Sequence, residues 1–412
     1  MATDAFGRLR ISDTYTLFEY YPSAATSQTN NDVDIWVNDV NATATTTYNS
    51  SSNVVQLTSN ASGGISTRTS KLPMRYQPGK SRLFYFSAVP LSRVNAGSEV
   101  FTSRIGLFSI NGSKAPVEGH YFETNGTNLY WVYAYNGTPT AIVQSSWNID
   151  TFDGNGPSGK TLTISNMLNT NLFVIDQEWL GVGRIRVGFN IDGVNYYAHQ
   201  FVNNIAYPYT VTPRLPITYQ MAATTISSSI FLGQVCCTCI SEGGFTPIGR
   251  RISVGNSTAG VNLATINTKY ILLGVKFQSG FPTGILDILS VDAFYPGNTT
   301  QSAKIELQLH STNGNIGATT GTITFSTISN SAIELYQGSS GNVTNPSITT
   351  DGFIVTSNFL QQKSNFSLSS TEYSIQLTRG QVTQYDTLYV VASVGGGTNQ
   401  KIGANLDLIE ST

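Results

Sequence analysis

Along most of the chain, apolar side chains recur at every second position in short runs. In Lys304-Ile305-Glu306-Leu307-Gln308-Leu309-His310 three aliphatics fall on one side and polar residues on the other. Thr322-Ile323-Thr324-Phe325-Ser326, Arg184-Ile185-Arg186-Val187 and Ser374-Ile375-Gln376-Leu377 alternate in the same way. A period of two predicts strands with one buried face. Leu83-Phe84-Tyr85-Phe86 and Leu388-Tyr389-Val390-Val391 are continuous apolar runs and predict inner strands. Asn111-Gly112, Asn125-Gly126, Asn136-Gly137 and Asp192-Gly193 fall between such runs, where hairpins need positive φ. No amphipathic helix longer than two turns is visible. The pattern predicts an all-β chain of two β-sandwich domains.

Three regions follow from the texture of the sequence. Residues 1–60 read as an N-terminal arm and a loop-rich segment, because Asn41–Ser62 is dense in Thr, Asn and Ser. Residues 61–246 carry Trp131, Trp147 and Trp179 and read as a jelly-roll-like β-sandwich; the strand–turn–strand from Arg184 to Phe201 resembles hairpins of concanavalin-like jelly rolls. Residues 247–412 read as a C-terminal β-sandwich, with Glu242-Gly243-Gly244-Phe245-Thr246-Pro247 as the linker.

Composition narrows the function classes. Of the 412 residues only 11% are charged, well below the usual quarter, while 40% are apolar, enough for cores. Ser, Thr, Asn, Gln and Gly fill the difference, a neutral polar surface suited to extracellular or particle-bound β proteins. A net charge of −2 supplies no basic face for nucleic acid. Neither a signal-peptide core nor an apolar run of membrane length is present, so Asn-X-Ser/Thr triplets such as those at Asn41, Asn111, Asn256 and Asn298 predict no glycans.

Candidate chemistry is sparse. Asp176 and Glu178, placed on one strand, would share a face about 7 Å apart, within the roughly 5–9 Å span of glycosidase carboxylate pairs; Arg184 and Arg186 stand ready to neutralise them. Asp150, Asp153 and Asn155 offer hard oxygens to Ca²⁺ but without an EF-hand spacing, so an Asx-rich turn is the plainer expectation. Cys236, Cys237 and Cys239 lie together, yet on a strand they split between two faces and read as small buried hydrophobes. His120, His199 and His310 are scattered, and no Ser-His-Asp order or nucleophile elbow appears. No cofactor is expected and the chain reads as a non-enzyme.

Several segments resemble virion structural proteins of tailed bacteriophages, especially marine ones. They are Asp4-Ala5-Phe6-Gly7-Arg8-Leu9-Arg10-Ile11-Ser12 with Thr16-Leu17-Phe18, Tyr76-Gln77-Pro78-Gly79, Trp147-Asn148-Ile149-Asp150, Gly154-Asn155-Gly156-Pro157-Ser158-Gly159, Trp179-Leu180-Gly181-Val182-Gly183-Arg184, Leu215-Pro216 and Ile240-Ser241-Glu242-Gly243-Gly244. The match spans residues 4 to about 245, and the C-terminal region carries none. The resemblance implies a tail, fibre or head-attached component of a virion, assembled in the host cytoplasm through contacts with other virion proteins and with copies of itself, as a trimer or ring. It implies no mechanism. The alternatives are an adhesin for host surface glycan and a glycan depolymerase using Asp176 and Glu178. Phe6, Arg8, Leu9, Arg10, Ile11, Leu17 and Phe18 are expected to form an assembly arm that adds to a neighbouring subunit.

Overall fold

The computed structural model describes residues 14–22, 35–71, 73–95, 97–203, 206–244, 249–280, 285–297, 302–311, 317–341, 345–360, 366–369, 386–397 and 399–411. The chain divides into two compact units, Met1–Phe245 and Thr246–Thr412. Among the described residues the regular elements are strands, apart from two 3-10 turns at Gln144–Ser146 and Ile164–Leu168. No helix among them is long and apolar enough to cross a membrane. The chain is all-β, as its alternation predicts.

The first unit holds two antiparallel sheets. One runs β13 (Val194–Phe201), β12 (Ile185–Ile191), β11 (Asn171–Gln177), β6 (Arg82–Val89), β15 (Ile230–Ser241), β4 (Val54–Ser59), β3 (Ala44–Asn49), with β1 (Tyr15–Tyr20) paired to the second half of β15. The other runs β10 (Thr138–Val143), β9 (Leu129–Tyr135), β8 (Pro116–Thr124), β7 (Val100–Ile110), β14 (Ile217–Thr225), β5 (Ile65–Ser70), β2 (Trp36–Val40). In β6 the period of two is plain: Phe84, Phe86 and Ala88 are fully buried, whereas Tyr85, Ser87 and Val89 are half-buried on the other face. Rings from the two sheets interlock between them. Phe122 of β8 lies 4.7 Å from Phe173 of β11, Trp131 of β9 lies 5.9 Å from Phe189 of β12, and Phe86 lies 6.4 Å from Tyr219 of β14. Each fully buried Phe or Leu in this layer contributes about 1.5–3 kcal/mol.

The hairpin signals hold where the turn is two residues long. Asn136 and Gly137 join β9 to β10 at φ 48° and 78°, and Asp192 and Gly193 join β12 to β13 at φ 55° and 81°.

Two expectations change in this unit. The described part of residues 1–60, namely 14–22 and 35–60, is not a separate arm and loop region, since β1 to β4 are strands of the sandwich and Ala44–Asn49 pairs with Val54–Ser59 as a hairpin. The Thr-rich run fits because Thr is β-branched and favours strands. Leu17 and Phe18 are not free to dock on a neighbour: they pack against their own unit's core, and β1 pairs with β15 from Tyr15 to Tyr20. Phe6, Arg8, Leu9, Arg10 and Ile11 lie outside the described residues.

The second unit also holds two sheets. One orders β16 (Arg250–Gly255), β28 (Gln400–Ser411), β19 (Ile285–Phe294), β26 (Phe366–Ser369), with β17 (Val261–Leu263) on the first residues of β28. The other orders β21 (Ala318–Thr320), β24 (Ser347–Thr350), β18 (Tyr270–Phe277), β27 (Thr387–Val394), β20 (Ala303–His310), β25 (Phe353–Leu360), with β23 (Ile333–Gln337) on β18 and β22 (Ser326–Thr327) on β23. Ile288, Leu406 and Leu408 share one core with Leu273, Val275, Leu307 and Val390. Thr322–Phe325 is not a strand; Ile323 and Phe325 instead pack on Ile271, Tyr336, Ile348, Tyr389 and Val391. Ser374–Leu377 lies outside the described residues.

In β20 the aliphatic face is buried as its alternation predicts, but the polar face is buried too. Glu306, Gln308 and His310 are at most 3% exposed. Lys269 and Lys304 reach Glu306 at 2.9 and 2.6 Å, Gln308 donates to Glu306 at 2.6 Å, and Lys269 also meets Asp351 at 2.7 Å. Burial is tolerated here because the charges are paired.

Candidate functional site

β11 ends at Gln177, so the two acids do not continue one strand. Asp176 pairs in register with Arg186 of β12 and forms an ion pair with it, while the Tyr197 hydroxyl donates to Asp176 Oδ2 at 3.0 Å. The Arg186 guanidinium in turn lies 4.2 Å from the centre of the Tyr197 ring. Glu178 lies past the strand end. Its carboxylate accepts the Arg184 backbone N–H at 2.9 Å and meets the Arg184 guanidinium at 3.5 Å. Each acid thus has its own arginine, the pairing that the sequence offers as the alternative to catalysis.

Asp150 and its neighbours form a tight turn. Asp150 Oδ1 and Oδ2 accept the N–H groups of Phe152 and Ser158 at 2.8 and 2.7 Å, and Asp153 Oδ1 accepts that of Asn155 at 2.8 Å. A Cβ on Gly156 would sit 2.1 Å from Asp150 Oδ1, so only glycine lets the chain close over this carboxylate. The oxygens are directed at backbone amides of one loop, and among the described residues no three His, Cys, Asp or Glu side chains converge as a metal site would require. Cys237 and Cys239 are buried in the core and Cys236 is half-buried on the opposite face. Burial pushes the Cys239 thiol up to about 12, so it stays protonated.

Four of the segments quoted from the sequence, around Tyr76, Trp179, Leu215 and Glu242, meet near one buried side chain, Arg82. Its guanidinium donates to the carbonyls of Met74 and Arg75 at 2.8 and 2.9 Å, to that of Pro213 at 2.6 Å, and to the Gln177 side-chain oxygen. It also lies over the Tyr76 ring at 5.1 Å. Tyr76 packs edge-on against Trp179 at 5.3 Å and accepts the Leu180 N–H at 3.1 Å. Met74 donates its N–H to Leu215, and Ser81 donates to Glu242 at 2.5 Å. Four segments far apart in sequence are thereby fastened to one end of β6.

Among them, Trp179–Arg184 is the conformational outlier. Trp179 and Leu180 adopt φ 51° and 42°, followed by Gly181 at 79°. Two successive non-glycine residues in the left-handed region cost about 1–2 kcal/mol each. The loop is held there by the Trp179 indole N–H donating to Thr210 at 3.0 Å and by Gly181 O, which accepts from Tyr209 N–H at 2.9 Å and the Asn203 amide at 3.2 Å. The two loops so joined expose Leu180, Val182, Val202, Tyr207 and Val211, the last at 76%. Periodicity does not single these residues out as exposed, because isolated apolar residues in loops belong to no alternating run; their exposure follows from the loop geometry.

No protein-family model matches the chain, and no curated protein matches it. Among solved structures, the chain is similar to the endo-1,3-β-glucanase from Streptomyces sioyaensis, with 11% identity over 55% of this chain and 96% of that one and a TM-score of 0.35. It is similar to arcelin-5, a lectin-like defense protein from Phaseolus vulgaris, with 11% identity, 55% and 98% covered and a TM-score of 0.34. It is also similar to a legume lectin-like domain from Entamoeba histolytica, with 9% identity, 54% and 96% covered and a TM-score of 0.34. At these identities and TM-scores none of them assigns a site, a ligand or an activity to this chain.

Proposed function

We propose that this chain is a non-enzymatic structural subunit of a virus particle of the tailed-phage kind, as a tail, fibre or head-attached component. Its neighbours would be other virion proteins or further copies of itself. The observation that carries this reading is the pinned, strained loop Trp179–Arg184, which together with the Val202–Val211 segment exposes five large apolar side chains. A strained backbone held by four hydrogen bonds, with its apolar residues turned to solvent, is a surface shaped for contact rather than for its own core. The same loop carries one of the segments that resemble phage virion proteins. The ion-paired state of Asp176 and Glu178 favours a subunit over a depolymerase.

The test is Val182→Asp combined with Val211→Asp, introduced into the virus that encodes the chain. Both side chains are exposed, at 66% and 76%, so the purified protein should melt within about 2 °C of the parent. Its content in purified particles, measured by quantitative mass spectrometry, should fall at least about tenfold, the equivalent of about 1.4 kcal/mol of docking energy. Incorporation at the parental level with unchanged melting would refute this surface as the assembly contact.

A further inference from the structure

β25 (Phe353–Leu360) is the last strand of its sheet. β20 pairs with one of its edges, and among the described residues no strand pairs with the other. Ser357, Asn358 and Phe359 are exposed in succession, so both faces of the strand meet solvent there. The Phe359 N–H donates to the side-chain oxygen of Asn358 at 2.7 Å and therefore points away from β20. Backbone groups alternate in direction along a strand, so the N–H and C=O of Ser357 face the open edge as well. A row of such groups is a template for another strand.

Two other edge strands are blunted against such pairing. β16 carries Arg250 and Arg251, both exposed, and β10 carries Pro139, which has no N–H to give. β25 reads Phe-Ile-Val-Thr-Ser-Asn-Phe-Leu, without charge, proline or glycine. It turns Phe359, 64% exposed, and Ile354, 37% exposed, to solvent. This composition favours strand pairing.

The register identifies the partner. Leu307 and Gln308 of β20 face Thr356 and Ile354, so Val355 is the extra residue of a bulge. Ile354 and Phe359 would fall on opposite faces of a regular strand. The bulge brings both to the face of Lys304, Glu306 and Gln308. With Val355 set aside, the strand is symmetric about Ser357. Laid antiparallel on a second β25, Ser357 meets its own counterpart, Thr356 meets Asn358, and each exposed Ile354 meets an exposed Phe359 on the same face. Polar lies on polar at the centre and apolar on apolar at the flanks, with no charge to bury. A contact of this kind is self-complementary, as a two-fold interface requires. We propose that two copies of the chain join edge to edge through β25, about a two-fold axis at Ser357, by mutual strand addition. The contact lies in the second unit. It depends neither on the loop Trp179–Arg184 nor on the chain's being part of a virus particle.

The test uses the full-length chain carrying Val182→Asp and Val211→Asp, so that association through the first unit's loops does not contribute. Sedimentation velocity from micromolar concentration upward should show a reversible dimer. Phe359→Lys alters an exposed side chain and puts a charge on the edge; it should weaken the dimer at least about tenfold with melting within about 2 °C of the parent. Ser357→Cys locates the axis. Opposed residues of a hydrogen-bonded antiparallel pair lie about 5.5 Å apart between Cα atoms, within the reach of a disulfide. Mild oxidation should therefore link two chains covalently on a non-reducing gel, above the level of the parent with its native cysteines. Asn358→Cys, one residue off the axis, should not link them, and Phe359→Lys should suppress the link formed by Ser357→Cys. A chain that stays monomeric at every concentration would overturn the proposal. So would a dimer that keeps its affinity in Phe359→Lys, or cross-linking from Asn358→Cys equal to that from Ser357→Cys.

Discussion

Arg82 shows how one side chain can organise a region without announcing itself. It is 2% exposed, and burial pushes its guanidinium down to about 10. Its donors are spread over three backbone carbonyls and the Gln177 amide, which draws the chain around Tyr76, Gln177 and Pro213 into a single arrangement. Arg82→Met would fill part of the volume but leave those acceptors without donors. The expected loss is at least about 3 kcal/mol, which for a unit of this size is about 6–12 °C of melting temperature. Differential scanning calorimetry should show it in the transition of the first unit alone; a shift under about 2 °C would mean the carbonyls find other donors. Nothing in the surrounding Ser81-Arg82-Leu83 signals this, because an arginine beside apolar residues is indistinguishable from one that snorkels to water. By contrast, the split of Cys236 from Cys237 and Cys239 between two faces was readable, since it depends only on the strand period.

At the level of elements, alternation located most strands but not their partners. β1 is the clearest case. A run with apolar Leu17 and Phe18 needs something to pack on, and periodicity cannot tell a neighbour in the same unit from one in another subunit. In the fold Tyr20 answers the question: it is 5% exposed, its ring lies 5.1 Å from Trp36, and its hydroxyl accepts from Arg68 at 3.0 Å. Tyr20→Ala should therefore cost the first unit about 3–5 kcal/mol in urea unfolding. Tyr15→Ala, at the exposed start of the same strand, should change it by no more than about 0.5 kcal/mol. Equal small effects would mean that the strand is an appendage after all. The site residues fared differently from the strands: Asp176 and Glu178 were visible as types, and their arginines too, but the end of β11 at Gln177 was not. The loop that exposes Val182 was legible only as a glycine-rich break, because left-handed φ at Trp179 and Leu180 is imposed by tertiary hydrogen bonds.

At the scale of the whole molecule, the two units should respond unequally to acid. Burial holds His120 at about 3 and His199 at about 4 in the first unit, and His310 at about 4 in the second, against about 6.5 in an unfolded chain. Each depressed value means that the folded state binds fewer protons. The stability this confers is complete above pH about 6.5 and drains away as pH falls towards about 4, at up to about 1.4 kcal/mol per pH unit for each histidine. The first unit should lose stability across that window with close to twice the slope of the second. His120→Phe should remove about half of the first unit's slope; a slope left intact would show that carboxylates dominate instead. The two units share one further trait, the place of their last strand. β15 closes the first unit by inserting between β6 on one side and β4 and β1 on the other, and β28 enters the second between β19 and the pair β16 and β17. At the usual rates of synthesis, roughly 5–20 residues per second, the ribosome finishes β15 about 10–45 s after β1. Until then β1, β4 and β6 have emerged with the edges that β15 will occupy still open. A nascent chain stalled before residue 230 should accordingly be a client for chaperones that shield strand edges, and folding of each unit is timed by the arrival of its final segment.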